Sequence, residues 1–340
     1  MEWKEYKQAF TSEAIAKKKS NKYIESNLKY AKNLYENHVP IIYNLEHFSR
    51  LVGYQKKYVK AACCGSSSFY RSFTIKKKNG GERKISEPLP SLKEIQRWIL
   101  DNILNQVEIS RYAKAYIKGK SVKENARFHR AQNVVLSLDI TDFFGSIHTK
   151  AVYDIFKALG YTRKLSWQLA YLCSLDNSLP QGAPTSAAIS NIILKEFDEA
   201  IGKYTFTHKI RYTRYADDMT FSGDFDAAEL IRIVKEQLKP YGFKLNRDKT
   251  RTRKQGQRQE VTGIVVNEKI QTSKEYRKEI RQEIYYIKKY GLESHLQHCG
   301  LTKRNYLDHL IGKINYVLFI NPKDEIFKEY KTFLTRINSQ

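Results

Sequence analysis

Val134-Val135-Leu136-Ser137-Leu138-Asp139 is a short, almost wholly apolar run that ends on a carboxylate. A half-exposed strand alternates apolar with polar residues; this run does not, so it predicts a central strand buried on both faces. An acid at the end of such a strand is unusual. Further along, Lys209-Ile210-Arg211-Tyr212-Thr213-Arg214-Tyr215, then Ala216-Asp217-Asp218, then Met219-Thr220-Phe221-Ser222 reads as strand, tight turn, strand, with two adjacent acids at its tip. Alone, Asp-Asp in a hairpin is ordinary turn chemistry. If the two elements are antiparallel neighbours in one sheet, however, Asp139, Asp217 and Asp218 converge. Rigidly held carboxylates of that kind can fix two Mg²⁺ ions about 3.5–4 Å apart for phosphoryl transfer, one activating an attacking hydroxyl and one steadying the leaving pyrophosphate.

The composition fits a protein that works on a polyanion. The 340 residues carry 60 Lys and Arg against 36 Asp and Glu, a net charge of +24, and 41% are hydrophobic, enough for a large core. Twenty-four tyrosines argue against disorder. No apolar run approaches the ~18 residues of a membrane span, and Met1-Glu2-Trp3-Lys4-Glu5-Tyr6 lacks the layout of a secretion signal, so a cytoplasmic location without membrane contact is expected. Cys63, Cys64, Cys173 and Cys299 form no C-x-x-C set and read as reduced, mostly buried thiols.

Residues 1–60 read as helical and basic; Lys17-Lys18-Lys19 is best taken as a solvated face. Tyr70 to Ile75 and Arg83-Lys84-Ile85 flank Lys76-Lys77-Lys78 and an Asn79-Gly80-Gly81 turn, a basic hairpin. Leu92, Ile95, Ile99 and Ile103 repeat at helical spacing. Ser121-Val122-Lys123-Glu124 is a capping box, placing Asn125 and His129 on one face of the helix it opens. Pro184 is suited to the first turn of a helix reaching Ile201, and 227–238 to an amphipathic helix. From 244 to 258 seven cations, among them Lys249, Arg251 and Arg253, stand against Asp248 alone, the density expected beside a phosphate backbone. Apolar stripes at 280, 284 and 287 and at 307, 310, 314 and 318 predict two further helices.

Three of these stretches, in order, resemble the A, B and C motifs of reverse transcriptases: Val135-Leu136-Ser137-Leu138-Asp139-Ile140-Thr141-Asp142-Phe143-Phe144, Leu179-Pro180-Gln181-Gly182-Ala183-Pro184-Thr185-Ser186 and Tyr215-Ala216-Asp217-Asp218. Leu245-Asn246-Arg247-Asp248-Lys249-Thr250 resembles motif D, and the hairpin through Asn79 to Ile85 resembles the fingers element. Asn125-Ala126-Arg127-Phe128-His129 and Val261-Thr262-Gly263 are similar to the N-A-x-x-H and V-T-G elements that distinguish bacterial retron reverse transcriptases. The likeness covers roughly residues 70–290.

That resemblance implies an α+β right-hand polymerase: an antiparallel palm sheet flanked by helices, with fingers and a helical thumb. The expected division is 1–68 as a basic helical N-terminal region, 69–132 as fingers, 133–258 as palm and 259–340 as thumb. It implies Asp139, Asp217 and Asp218, with the Ile140 carbonyl, as the Mg²⁺ ligands. Lys249 is either the acid that protonates pyrophosphate or a plain phosphate contact. Lys77, Lys78 and Arg83 would grip the incoming dNTP, Gln181 and Gly182 line its pocket, and Phe144 exclude a 2′-hydroxyl. Asn125 and His129 left to themselves read as polar residues satisfied within the fold; the resemblance instead assigns them to RNA, with Arg251, Arg253, Val261, Thr262, Gly263, Lys274, Arg277, Lys278 and Arg281. The implied substrate is a structured noncoding RNA, primed from the 2′-hydroxyl of an internal guanosine to give branched RNA–DNA, in a phage-defence system with a separate effector protein. The roughly 50 residues beyond the match leave no room for an RNase H domain of usual size. Two other readings stand: another bacterial, group II intron-like reverse transcriptase using linear primers, and a mainly noncatalytic RNA scaffold for an effector.

Overall fold

The computed structural model describes residues 2–64, 66–76, 80–301 and 303–338. Lys77, Lys78 and Asn79, and with them much of the expected hairpin turn, lie outside the described residues. The chain divides into two compact units, Met1–Arg111 with Ile140–Glu199 and Leu238–Lys244, and Tyr112–Asp139 with Ala200–Gln237 and Leu245–Gln340.

In the first unit, the N-terminal helical pattern becomes α1 (Trp3–Ala16), α2 (Asn21–Glu36), α3 (Leu45–Leu51) and α4 (Lys56–Cys64). Ser20 and Asn44 cap α2 and α3 by accepting from backbone N–H groups of the first turn, which leaves fewer orphan donors at each start. These helices pack on their neighbours: Asn37 Nδ2 donates to the Leu159 carbonyl at 3.1 Å and Tyr161 Oη to that of Pro40 at 3.0 Å. The basic hairpin follows as β1 (Tyr70–Lys76) and β2 (Glu82–Pro88), antiparallel with Phe73 opposite Ile85. Pro90 opens α5 (Pro90–Asn102) at a position where its missing N–H costs nothing.

The chain then builds α6 (Val122–Phe128) and β3 (Val134–Asp139) in the second unit, and returns to the first for α7 (Thr149–Ala158), α8 (Arg163–Leu172) and α9 (Ser186–Ile193). The single helix expected from Pro184 to Ile201 is broken at Leu194, where α9 gives way to α10 (Lys195–Thr207). Ile42, Phe48, Ile95, Ile99, Phe156 and Leu169 are among the fully buried side chains of the first unit.

The second unit is organised by a four-stranded antiparallel sheet. Its other strands are β4 (Arg211–Tyr215), β5 (Asp218–Gly223) and, after α11 (Ala227–Leu238), β6 (Arg251–Lys254), in the order β4-β5-β3-β6. The apolar strand is therefore central, as its composition demands, with Val135, Leu136 and Leu138 buried. A small sheet of β7 (Glu260–Val261), β8 (Ile264–Val265) and β9 (Gln271–Thr272) leads to α12 (Lys274–Tyr290), α13 (Leu292–Cys299), α14 (Lys303–Ile320) and α15 (Glu325–Asn338). The stripe Ile280, Ile284 and Ile287 packs against Leu307, Leu310 and Ile314, closed by Phe327 and Leu334. Among the described residues no helix is long and apolar enough to cross a membrane, and Cys63 and Cys173 are buried while Cys64 and Cys299 are exposed.

Candidate active site

The register of the sheet decides the geometry. β3 and β5 pair antiparallel so that Asp139 stands directly opposite Asp218. The two-residue turn Ala216-Asp217 places Asp217 at the tip, Ala216 taking a positive φ of 58°. Buried Arg214 braces this turn by donating from Nη1 to the Ala216 carbonyl at 3.0 Å. On the other side, the Asn246 N–H donates to the Asp139 carbonyl at 2.8 Å, and the Asn246 side chain caps the 3₁₀ turn Arg247–Lys249. That turn delivers Lys249 Nζ to Asp139 Oδ2 at 2.7 Å.

Three carboxylates thus share one small volume with one ammonium. Asp139 is 4% exposed, whereas Asp218 presents an open edge to solvent. The protein packed around the Asp218 carboxyl, then the charges of Asp217 and Asp139, push its pKa up to about 7 against the pull of Lys249. Partial burial works against the Lys249 ammonium, but the Asp139 hydrogen bond and the three carboxylates hold it protonated above the ordinary lysine range. Acid oxygens in excess over cations are the donor set a hard divalent ion takes. Among the described residues no three carboxylate, thiol or imidazole groups stand already gathered as metal ligands, and Lys249 holds one Asp139 oxygen.

Residues 75–276 match the family of reverse transcriptases (RNA-dependent DNA polymerases). The chain is 30% identical over 311 residues to the retron Ec86 reverse transcriptase of Escherichia coli, an alignment covering 89% of this chain and 92% of that one. The chain belongs to the retron reverse transcriptases. It is also 32% identical over 275 residues to the retron Mx65 reverse transcriptase of Myxococcus xanthus, covering 75% and 62% of the two chains. Among solved structures, telomerase from Candida albicans in complex with a fragment of telomeric RNA aligns at a TM-score of 0.45 and 13% identity, over 78% of this chain and 54% of that one. As a retron reverse transcriptase the protein is an RNA-directed DNA polymerase, here with a mixed fold of helices and antiparallel sheets.

In the two retron elements, the side chains of Asn125, His129 and Val261 lie in the interior of the second unit. Asn125 and His129 are 1% and 0% exposed, and His129 is the C-cap of α6 rather than part of its face. Thr213 Oγ1 donates to Asn125 Oδ1 at 2.6 Å, so its single proton is committed and it accepts from His129 Nε2–H at 2.8 Å; Ser222 Oγ then donates to Nδ1 at 2.7 Å. The imidazole therefore staples β4 to β5, the strands that flank the Asp217 turn and of which β5 begins at Asp218. Val261 is likewise buried, in one cluster with Ala126, Val135, Ile264 and Ile320, so both elements meet in a single apolar joint. Neither the Asn125 and His129 side chains nor that of Val261 can touch RNA in this arrangement. Thr262 and exposed Gly263 make the β7–β8 turn, both with positive φ (48° and 79°), and the buried Thr262 hydroxyl has no partner.

Burial, and next the charges of Arg211 and Lys114, depress the His129 pKa to about 3. The fold holds the neutral ring, so the stabilisation is complete above the unfolded value near 6.5 and is lost as pH falls from there toward 3. At pH 5 the loss is about 2 kcal/mol. Urea unfolding of wild type and His129→Gln at pH 8 and pH 5 should show that extra acid loss in wild type alone; equal losses would contradict it.

Arg277 is engaged within the fold. Its guanidinium pairs with Asp324 at 2.5 Å and lies over the Phe327 ring, nearly buried. Lys274, Lys278 and Arg281 remain exposed on α12, as do Arg251 and Arg253 on β6.

In the first unit Arg83 is exposed on β2 and Phe144 is half-buried against Phe143, which packs on Phe243. The Gln181-Gly182 loop docks on the same strand: the Ser86 N–H donates to the Gln181 carbonyl at 2.8 Å. Gly182 has φ 130°, and a Cβ there would lie 2.9 Å from the Ser86 carbonyl oxygen. Its close approach is thus to β2. Gly182→Ala should cost about 2 kcal/mol or more and raise KM for dNTP, read by melting midpoint and steady-state kinetics; an unchanged midpoint would contradict this. Arg214, Asn246, Thr213 and Ser222 escaped the sequence reading because strand and loop polar residues carry no local sign of their partners.

Proposed function

We propose that this retron reverse transcriptase copies a cognate structured noncoding RNA from the 2′-hydroxyl of an internal guanosine, leaving DNA joined to RNA by a 2′,5′ bond. The observation that carries the catalytic part is the pairing of Asp139 with Asp218 across β3 and β5, with Asp217 at the adjoining turn. Asp139, Asp217 and Asp218, with the Ile140 carbonyl, are the residues that would hold two Mg²⁺ ions. When bound, these supply Lewis acidity for the attacking hydroxyl and charge neutralisation for the departing pyrophosphate. Lys249, protonated and 2.7 Å from Asp139, has to leave that oxygen free, and is then placed to give its proton to pyrophosphate or to hold a phosphate.

Arg83, with Lys77 and Lys78, binds the dNTP triphosphate in this reading; Gln181 and Gly182 line the nucleotide pocket and Phe144 tests the sugar. The assignment of 69–132 to fingers, 133–258 to palm and 259–340 to thumb goes with it. Lys274, Lys278 and Arg281, spaced i, i+4 and i+7 on α12, give the thumb a basic face suited to an RNA stem, with Arg251, Arg253 and the Thr262-Gly263 turn nearer the palm. A cytoplasmic setting in a bacterium and a separate effector in phage defence complete the proposal.

Coexpression with the noncoding RNA encoded beside the gene tests the priming step. The expected product is DNA released from RNA only by a nuclease that cuts 2′,5′ bonds. An ordinary 3′,5′ junction would mean linear priming, and stable RNA binding without DNA would mean a scaffold.

A further inference from the structure

α7 and α8 pack together through Val152, Phe156, Leu165 and Leu169, all buried. Their outward side carries a stack of rings. Tyr153 lies on Trp167 with centroids 4.3 Å apart and planes 22° apart, and Trp167 on Tyr171 at 5.6 Å and 25°. Packing alone leaves such rings unexplained: the helices already bury an aliphatic seam, and Tyr171 is 46% exposed.

The two ends of the stack differ. At one end the Lys150 ammonium sits 5.2 Å from the Tyr153 centroid. At the other, among the described residues, no ring or cation covers the far face of Tyr171. Arg163, Trp167 and Tyr171 are spaced i, i+4, i+8, so a guanidinium stands one turn before the rings on the same side of α8. Lys157 and Lys164 are exposed beside them, and Asp154, paired with Lys150, is the one acid on the two helices.

A row of parallel rings open at one end, flanked by excess positive charge, matches the two parts of a single-stranded nucleic acid: bases that stack and phosphates that need cations. We infer that the α7–α8 face binds single-stranded RNA, an unpaired base continuing the ring stack on Tyr171 while Arg163 and Lys164 hold flanking phosphates. This deepens the reading of the chain as an enzyme that works on an RNA strand, and rests on it for the identity of the polymer. A protein partner fits less well, since a half-exposed ladder bordered by cations offers no continuous apolar patch.

The test makes Trp167 its own reporter. In the full chain carrying Trp3→Phe and Trp98→Phe, Trp167 is the remaining tryptophan. A 12-nucleotide oligo(A) RNA should quench its fluorescence saturably. Tyr171→Ala should weaken this binding about tenfold, and Tyr171→Phe, which keeps the ring, should restore it. Arg163→Ala/Lys164→Ala should lower the slope of log affinity against log salt by about 1.4. Tyr171 is too exposed for its loss to unfold the protein, and the melting midpoint checks this. Absence of quenching, equal affinity in Tyr171→Ala, or quenching only by a protein from the same operon would overturn the inference. Primer extension on a short template whose unpaired stretch is only the few nucleotides to be copied should proceed normally in Tyr171→Ala; its failure in wild type would count against the polymerase reading instead.

Discussion

Asp217→Asn will abolish DNA synthesis, lowering kcat by at least about a thousandfold while RNA affinity and melting midpoint stay at wild-type values. Asparagine preserves the shape of the turn, including the brace from Arg214 to the Ala216 carbonyl, and removes one charge. That charge is part of what raises Asp218, so the Asp218 carboxyl will titrate lower in the variant. The turn keeps its shape while the site loses a carboxylate, which is why stability and activity separate. Single-turnover primer extension on an RNA template measures the loss. Activity within about tenfold of wild type would remove Asp217 from the site.

The second large effect is on the choice of sugar. Phe144→Ala should narrow the preference for deoxyribonucleotides over ribonucleotides by about 100-fold in the ratio of kcat/KM values. Phe144 rests with its centroid 5.2 Å from that of Phe143, which in turn lies 5.7 Å from Phe243. The outer ring is thus backed by a fixed aromatic floor and is not free to swing aside. Phe143 is buried, and its truncation should instead cost about 3–5 kcal/mol of stability without changing sugar choice. If the two substitutions alter discrimination equally, Phe144 is a packing residue and not a steric gate.

The central strand and the acid hairpin were legible because their periodicity and apolar density are local properties. Asp139 opposite Asp218 follows once antiparallel pairing is assumed. What could not be read is where the polar side chains of the retron elements go. Asn125 and His129 look the same in sequence whether they meet RNA or a neighbouring strand, and the partners that decide, Thr213 and Ser222, lie more than eighty residues away. Arg277 was hidden for a similar reason: only the packing of α15 brings Asp324 and Phe327 to it. Gly182 was expected beside the nucleotide because glycine admits close approach. Its neighbour is the Ser86 carbonyl, an approach that depends on tertiary contact.

Three carboxylates acting as one cation site are the centre of the proposed mechanism, and the most direct measurement is a crystal structure with Mn²⁺, a dNTP and a chain-terminated primer on RNA. Anomalous peaks about 2.2 Å from carboxylate oxygens of both Asp139 and Asp217, with the Lys249 ammonium moved off Asp139, are predicted. Manganese bound elsewhere, or an intact Lys249 to Asp139 pair in that ternary complex, would contradict it.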